Sequence, residues 1–155
     1  MPDSPLVIRH CTVAEIEQSG ALPELLAAYG DESSIPEIGQ PSPCMETYRG
    51  MAASGVLHFV GAFSPELVGV VSVLVFGLPH YAGRRVASIE SFFVAPHARH
   101  GGTGIRLLRS AEELARGLGA QALMVSAPVG SRLAKVMTRT AGYRPTNQVF
   151  TRGLT

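Results

Sequence analysis

A mixed α/β fold in which a β-hairpin feeds a βαβα unit is predicted by three observations. Residues 56–78 carry two β-branched runs, another apolar run ends at Val94, and the second half alternates helical and extended periodicity. With 155 residues and 46% hydrophobic content, the chain can bury one substantial core but not two, so residues 1–155 read as one domain.

The elements follow in order. PLVIRHCT (residues 5–12) reads as a strand, and Thr12 caps the short helix VAEIEQ. A helix continues from about Leu22 through AAYGDES. SSIPEIGQPSPC places three prolines and a glycine in 12 residues, which is loop chemistry, and a loop this long is usually functional. METYRGMAAS is helical and ends at Gly55. VLHFVGAFS and LVGVVSVLVFGL form a hairpin around Ser64, Pro65 and Glu66, and RRVASIESFFV follows a turn at residues 80–83. Leu107, Ala111, Leu114 and Leu118 recur at helical spacing on one face, with Gly119 as the stop. ALMVSAP is a short strand. Gly130 or Ser131 starts a helix that the Ala141, Gly142, Tyr143 turn ends, and NQVFTRGL closes the chain as a strand. The order is β, α, α, β, β, β, α, β, α, β, giving about six strands and four helices.

Composition narrows the function. No window reaches 18 uninterrupted apolar residues and MPDSPLVIRH has no signal-like core, so a cytoplasmic protein without membrane association is expected. Cys11 and Cys44 are far apart and show no ligand spacing, so they read as free thiols with no metal site. The net charge of +1 hides an asymmetry: residues 1–83 carry −7 and residues 84–155 carry +8. A basic half suits an anionic ligand and an acidic half a cationic one, although both also describe solvated faces. No basic stripe with interleaved aromatics is present and there is a single lysine, so nucleic acid is not an expected partner.

The sharpest signal is SFFVAPHARHGGTGIRLL, residues 91–108. A strand ending at Val94, a glycine loop and a helix starting near Gly104 leave unpaired N–H groups at the positive end of a helix dipole. That is an anion site: glycines let the backbone close on a phosphate, and Arg99 can fork onto its oxygens. No Lys-Ser or Lys-Thr follows the glycines, which argues against a P-loop nucleotidase, and the spacing is wrong for GxGxxG.

Arg99, His100, Gly101, Gly102, Thr103 and Gly104 fit R-x-x-G-x-G, and here the chain resembles the GNAT family of N-acetyltransferases. The stretch IESFFVAPHARHGGTGIRLL is similar to the corresponding part of diamine N-acetyltransferases, though that likeness lies in the cofactor segment and carries no polyamine specificity. The resemblance covers residues 56–150, and the first 50 residues only in element order. It implies a mostly antiparallel twisted sheet, splayed at the strand before the pyrophosphate loop. It further implies acetyl-CoA as cosubstrate, its acetyl and pantetheine part on the backbone of Phe92, Phe93 and Val94, its pyrophosphate on residues 99–104, and a homodimer by family habit. Ser131 stands where relatives often carry an asparagine, and Ala134 is retained.

Glu90 interrupts an apolar strand, on the face of Ser88 and Phe92 by two-residue alternation. Burying a carboxylate is costly and favours its protonated form, which suits a general base, and the resemblance implies that role for Glu90 through ordered water. A backbone N–H of Phe93 or Val94 is then placed to stabilise the oxyanion. Many relatives protonate the leaving thiolate with a tyrosine, but Thr138 occupies that position. Tyr143 or Tyr81 is a candidate substitute, since a phenol (about 10) lies far nearer a thiol (about 8.5) than an aliphatic hydroxyl does. The expected function is transfer of an acetyl group to a primary amine of a small molecule, peptide or protein. The alternative, motivated by Thr138, is an acyl-CoA-binding sensor or interaction module with little or no turnover. Asp31, Glu32, Glu37 and Glu46 are candidates for attracting a cationic acceptor.

Overall fold

The computed structural model describes residues 4–155, so Asp3, counted in the acidic half, lies outside the described residues. Ten regular elements run β1 (Val7–Cys11), α1 (Val13–Glu17), α2 (Leu22–Ser33), α3 (Met45–Ala53), β2 (Leu57–Phe63), β3 (Leu67–Leu78), β4 (Arg84–Val94), α4 (Thr103–Gly117), β5 (Leu123–Met124) and α5 (Arg132–Arg139). They build one five-stranded sheet in the order β1-β2-β3-β4-β5, antiparallel except for the last pair.

Local chemistry explains most boundaries. Thr12 opens α1 with a capping box: its hydroxyl accepts the Glu15 N–H at 3.1 Å while the Glu15 carboxylate accepts the Thr12 N–H at 2.8 Å. Ser64 N–H donates to the Glu66 carbonyl at 2.8 Å and closes the β2–β3 hairpin. Gly55 and Gly119 adopt positive φ just beyond α3 and α4, as helix stops.

Two apolar cores sandwich the sheet. On one face Val60, Val71, Val73, Ala87 and Val94 pack against Leu107, Leu108 and Ala111 of α4. On the other, Leu57, Phe59, Leu67 and Phe93 pack against Val13, Ile16 and Leu25 of α1 and α2. Gly69 lets α4 approach the sheet: a Cβ there would stand 3.2 Å from Leu107 Cδ1 and from the Phe93 carbonyl oxygen.

Three expectations change. The first two helices are separated at residues 18–21, so there are five α-helices among the described residues, not four. The strand expected in ALMVSAP shrinks to Leu123–Met124, and NQVFTRGL forms no strand, with Val149, Phe150 and Leu154 all more than three-quarters exposed. Among the described residues the sheet therefore has five strands, not six. One cause explains both losses. β4 is bulged just past its last pairing with β5, which ends the parallel ladder, and a two-residue strand offers too short an edge for another.

Candidate active site at the open edge of β4

The site is created by that bulge. Ser72 of β3 pairs with Ser91 and the next residue, Val73, pairs with Ile89, leaving Glu90 as the extra residue of β4. An extra residue inverts the alternation of everything after it. Ala87 and Ile89 face α4 before the bulge, and Phe92 and Val94 face it afterwards, while Phe93 turns to the opposite core. Phe92 is therefore not on the face of Glu90, contrary to simple two-residue counting. Glu90 is also exposed rather than buried, because the bulge lifts it out of the pleat toward α3.

Its carboxylate is held by hydroxyls. Ser72, fully buried, donates to Glu90 Oε2 at 2.6 Å, and the Tyr48 hydroxyl of α3 donates to both oxygens at 3.1 and 3.2 Å. Burial, followed by the Glu90 charge and the hydrogen bond to it, pushes the Tyr48 phenol well above its ordinary range. Tyr29 of α2 is shifted the same way by burial and by Glu90, and its ring meets Phe93 edge-on at 5.6 Å. The clamp on Glu90 is thus built from α3 and β3, two elements that lie apart from it in sequence.

Beyond the bulge, β4 loses its outer neighbour, since pairing with β5 stops at Ser88–Met124. Phe93 pairs with Val70, and the Ala95 N–H donates to the Val68 carbonyl at 2.8 Å, so residues 93 and 95 turn their backbone groups toward β3. Alternation leaves the N–H groups of Phe92 and Val94 on the open edge. Of the two N–H groups named from the sequence, that of Val94 lies on the open edge and that of Phe93 on the β3 side.

A short turn, Pro96–Ala98, carries the chain from this edge to the glycine loop. Gly101 and Gly102 have φ of 71° and 77°, a region only glycine enters freely, and Gly102 is the N-cap of α4. Thr103 is buried and donates its hydroxyl to the His100 carbonyl at 3.3 Å. Gly104 lies over Phe92, its virtual Cβ 3.8 Å from the ring. Among the described residues no acceptor meets the N–H groups of residues 101–104, which leaves the helix start open to an anion.

Arg99 is engaged from the protein side. Its Nε donates to the Val94 carbonyl at 2.9 Å, Nη2 donates to Glu32 of α2 at 2.7 Å, and the guanidinium lies 5.3 Å from the centre of the Phe93 ring. It braces the strand end against α2. His100 is exposed beside it. Ser131 caps α5, accepting the Ala134 N–H at 3.1 Å. Tyr143 packs against the α4-side core and donates to Glu112 at 2.7 Å; burial and that carboxylate push its phenol far up. Thr138 donates its hydroxyl back to the Ala134 carbonyl at 2.8 Å. A groove of about 370 Å³ lies elsewhere, between β1, α1, α3 and β2.

Sequence reasoning missed Ser72, Tyr48, Tyr29 and the pairing of Glu32. Ser72 alone carried a signal, as the single polar residue of the run VGVVSVLVF.

An acidic residue at a strand bulge, an unpaired strand edge and a glycine loop opening a helix follow one another over residues 90–104. The sequence profile of the Acetyltransferase (GNAT) family matches residues 23–142, and the chain belongs to that family. No curated protein matches it. Solved structures similar to it include a ribosomal-protein-alanine N-acetyltransferase from Brucella melitensis biovar Abortus 2308, 18% identical with a TM-score of 0.71 over 96% of this chain and 99% of that one. An aminoglycoside acetyltransferase, meta-AAC0020, from an uncultured soil metagenomic sample is 17% identical with a TM-score of 0.74 over 97% and 95%. A transcriptional regulator from Bacillus halodurans C-125 is 20% identical with a TM-score of 0.75 over 96% and 99%. At such identities the likeness establishes the shared fold.

Proposed function

We propose that the protein transfers the acetyl group of acetyl-CoA to a primary amine of a small molecule, peptide or protein. The observation that carries this reading is the row of unmet N–H groups at residues 101–104, at the end of a strand whose outer edge is open. Those groups suit the pyrophosphate, and the glycines leave the room it needs. The open edge at Phe92 and Val94 suits the amide-bearing pantetheine arm, which can pair with it as a strand would.

The chemistry needs a neutral amine beside the thioester. Glu90 takes the proton of the acceptor ammonium, directly or through a water, and the freed nitrogen attacks the carbonyl carbon. The Val94 N–H faces the oxygen on which negative charge develops. The carbon–sulfur bond then breaks, the amide remains on the acceptor, and coenzyme A leaves as thiolate, which takes a proton from solvent. Tyr143 is a poor donor for that step, being committed to Glu112 and harder to ionise than a free phenol. The acceptor classes named for the similar structures, an alanine of a ribosomal protein and aminoglycosides, are both amines, and the half-buried phenols of Tyr29 and Tyr48 beside the Glu90 carboxylate suit a cationic one.

Calorimetric titration with acetyl-CoA, compared with coenzyme lacking the 3′-phosphate, tests the first half, and micromolar binding is the expected result. Thiol release with a panel of amines tests the second. Glu90→Gln should lower turnover by about 10²-fold or more while leaving coenzyme affinity unchanged. Binding without thiol release for any amine would favour an acyl-CoA-binding module instead, the reading that Thr138 and the engaged Tyr143 support.

A further inference from the structure

Ser72 makes more hydrogen bonds than a strand serine needs. Its Oγ lies 2.6 Å from Glu90 Oε2 and 2.6 Å from Ser91 Oγ, and it accepts the Ser91 backbone N–H at 2.9 Å. The β4 bulge produces this cluster by setting two consecutive residues, Glu90 and Ser91, opposite one. Ser72 is fully buried, so every bond it makes must come from these partners.

A hydroxyl has one proton and two lone pairs. The Ser91 N–H always occupies one lone pair. When Glu90 is ionised, Ser91 Oγ–H fills the other and Ser72 donates to Glu90 Oε2. When Glu90 carries a proton on Oε2, it fills that lone pair itself, and Ser72 donates to Ser91 Oγ instead. Both arrangements satisfy Ser72 completely, and they interconvert by rotation of two hydroxyls with no heavy atom moving.

We infer that Ser72 and Ser91 are positioning residues that hold the Glu90 carboxyl in one place in both of its protonation states. The catalytic use of this chain rests on the reading of Glu90 as the proton acceptor. A base must bind its proton without swinging away from the acceptor, and a buried partner able only to donate would oppose the protonated state. The reversing pair removes that conflict. The step itself is simple in its balance: one proton passes from the acceptor ammonium to Glu90 Oε2, and the two hydroxyl rotors turn. Tyr48 on α3 donates to the carboxyl from the other side in either state, and Tyr29 on α2 is the other ionisable group coupled to it.

The two serines then affect Glu90 in opposite senses. Removing Ser72 deletes its bond to Glu90 in both states, and the bond to the ionised form, being charge-assisted, is the stronger of the two. Removing the Ser91 hydroxyl leaves the ionised form served but strands the Ser72 proton once Glu90 is protonated. The test is carbon-13 NMR of the Glu90 carboxyl across pH in the full chain, assigned with Glu90→Gln. The titration midpoint should rise in Ser72→Ala and fall in Ser91→Ala, each by about half a pH unit or more. Ser72→Cys, a weak donor of similar shape, should rise by less, and it stands in should the alanine variant not fold. Midpoints that do not move, or that move together, overturn the proposal. The titration needs neither coenzyme nor acceptor, so the two readings fail separately. An unmoved midpoint in an active enzyme rejects the hydroxyl chain alone. Opposed midpoints in a protein that releases no thiol reject the base role and with it the catalytic use of the chain.

Discussion

Tyr143 is held by Glu112 through a 2.7 Å hydrogen bond, which makes it a strut between the α5 turn and α4. Removal of that hydroxyl in Tyr143→Phe should cost about 1 kcal/mol or less in a denaturant melt, because the side chain is only partly buried, and should change turnover less than threefold. A loss of turnover beyond tenfold would return Tyr143 to the chemistry. The pH dependence has a definite sign. The folded phenol ionises at higher pH than the unfolded one, so its contribution to stability is complete below the ordinary tyrosine range and declines as pH rises through and beyond it. Tyr143→Phe should lose its share of the alkaline decline, the raised Tyr48, Tyr29 and Cys11 groups keeping theirs. The two cysteines diverge in the same terms. Burial pushes the Cys11 thiol up to about 12, whereas the Thr47 hydroxyl and the first N–H groups of α3 lower that of exposed Cys44. Iodoacetamide at pH 8 should therefore label Cys44 at least about ten times faster than Cys11 by mass spectrometry. Equal rates would contradict the burial of Cys11.

At the scale of elements, the junction between β4 and α4 decides what the protein can bind. Gly102 has open space where a Cβ would stand but a φ of 77°, so Gly102→Ala meets backbone strain and no clash. It should cost about 1 kcal/mol of stability. By reorienting the N–H groups it should weaken acetyl-CoA at least about tenfold in the calorimeter. Unchanged affinity would mean that those groups do not hold the coenzyme. Most of this junction was legible in the sequence, because glycine spacing, the apolar run and helix periodicity are local properties. The bulge was not, since only the register of β3 against β4 distinguishes an extra residue from an alternating one, and that is why the expected face of Phe92 was wrong.

Across the whole molecule, a sheet covered on both faces supports an edge left open at one end. Leu107 is fully buried and sits at the contact of α4 with β3, and Leu107→Ala should cost about 2–5 kcal/mol, read as a lowered melting temperature. A loss below about 1 kcal/mol would show that α4 is not anchored there. Arg99 and Glu32 tie the glycine loop to α2, drawing one basic and one acidic residue of the two oppositely charged halves together. No helix among the described residues is long and apolar enough to cross a membrane. The sequence by itself determined the strands through β4, the helix α4, the caps and the glycine loop. These follow from periodicity, backbone freedom and capping chemistry, which act over a few residues. The tertiary structure alone decided that β5 stops after two residues, that NQVFTRGL stays unpaired, that Arg99 turns to Glu32, and that Ser72 and Tyr48 close on Glu90. Each depends on a neighbour 18 to more than 60 positions away, and only the register of the folded sheet brings such residues within hydrogen-bonding distance.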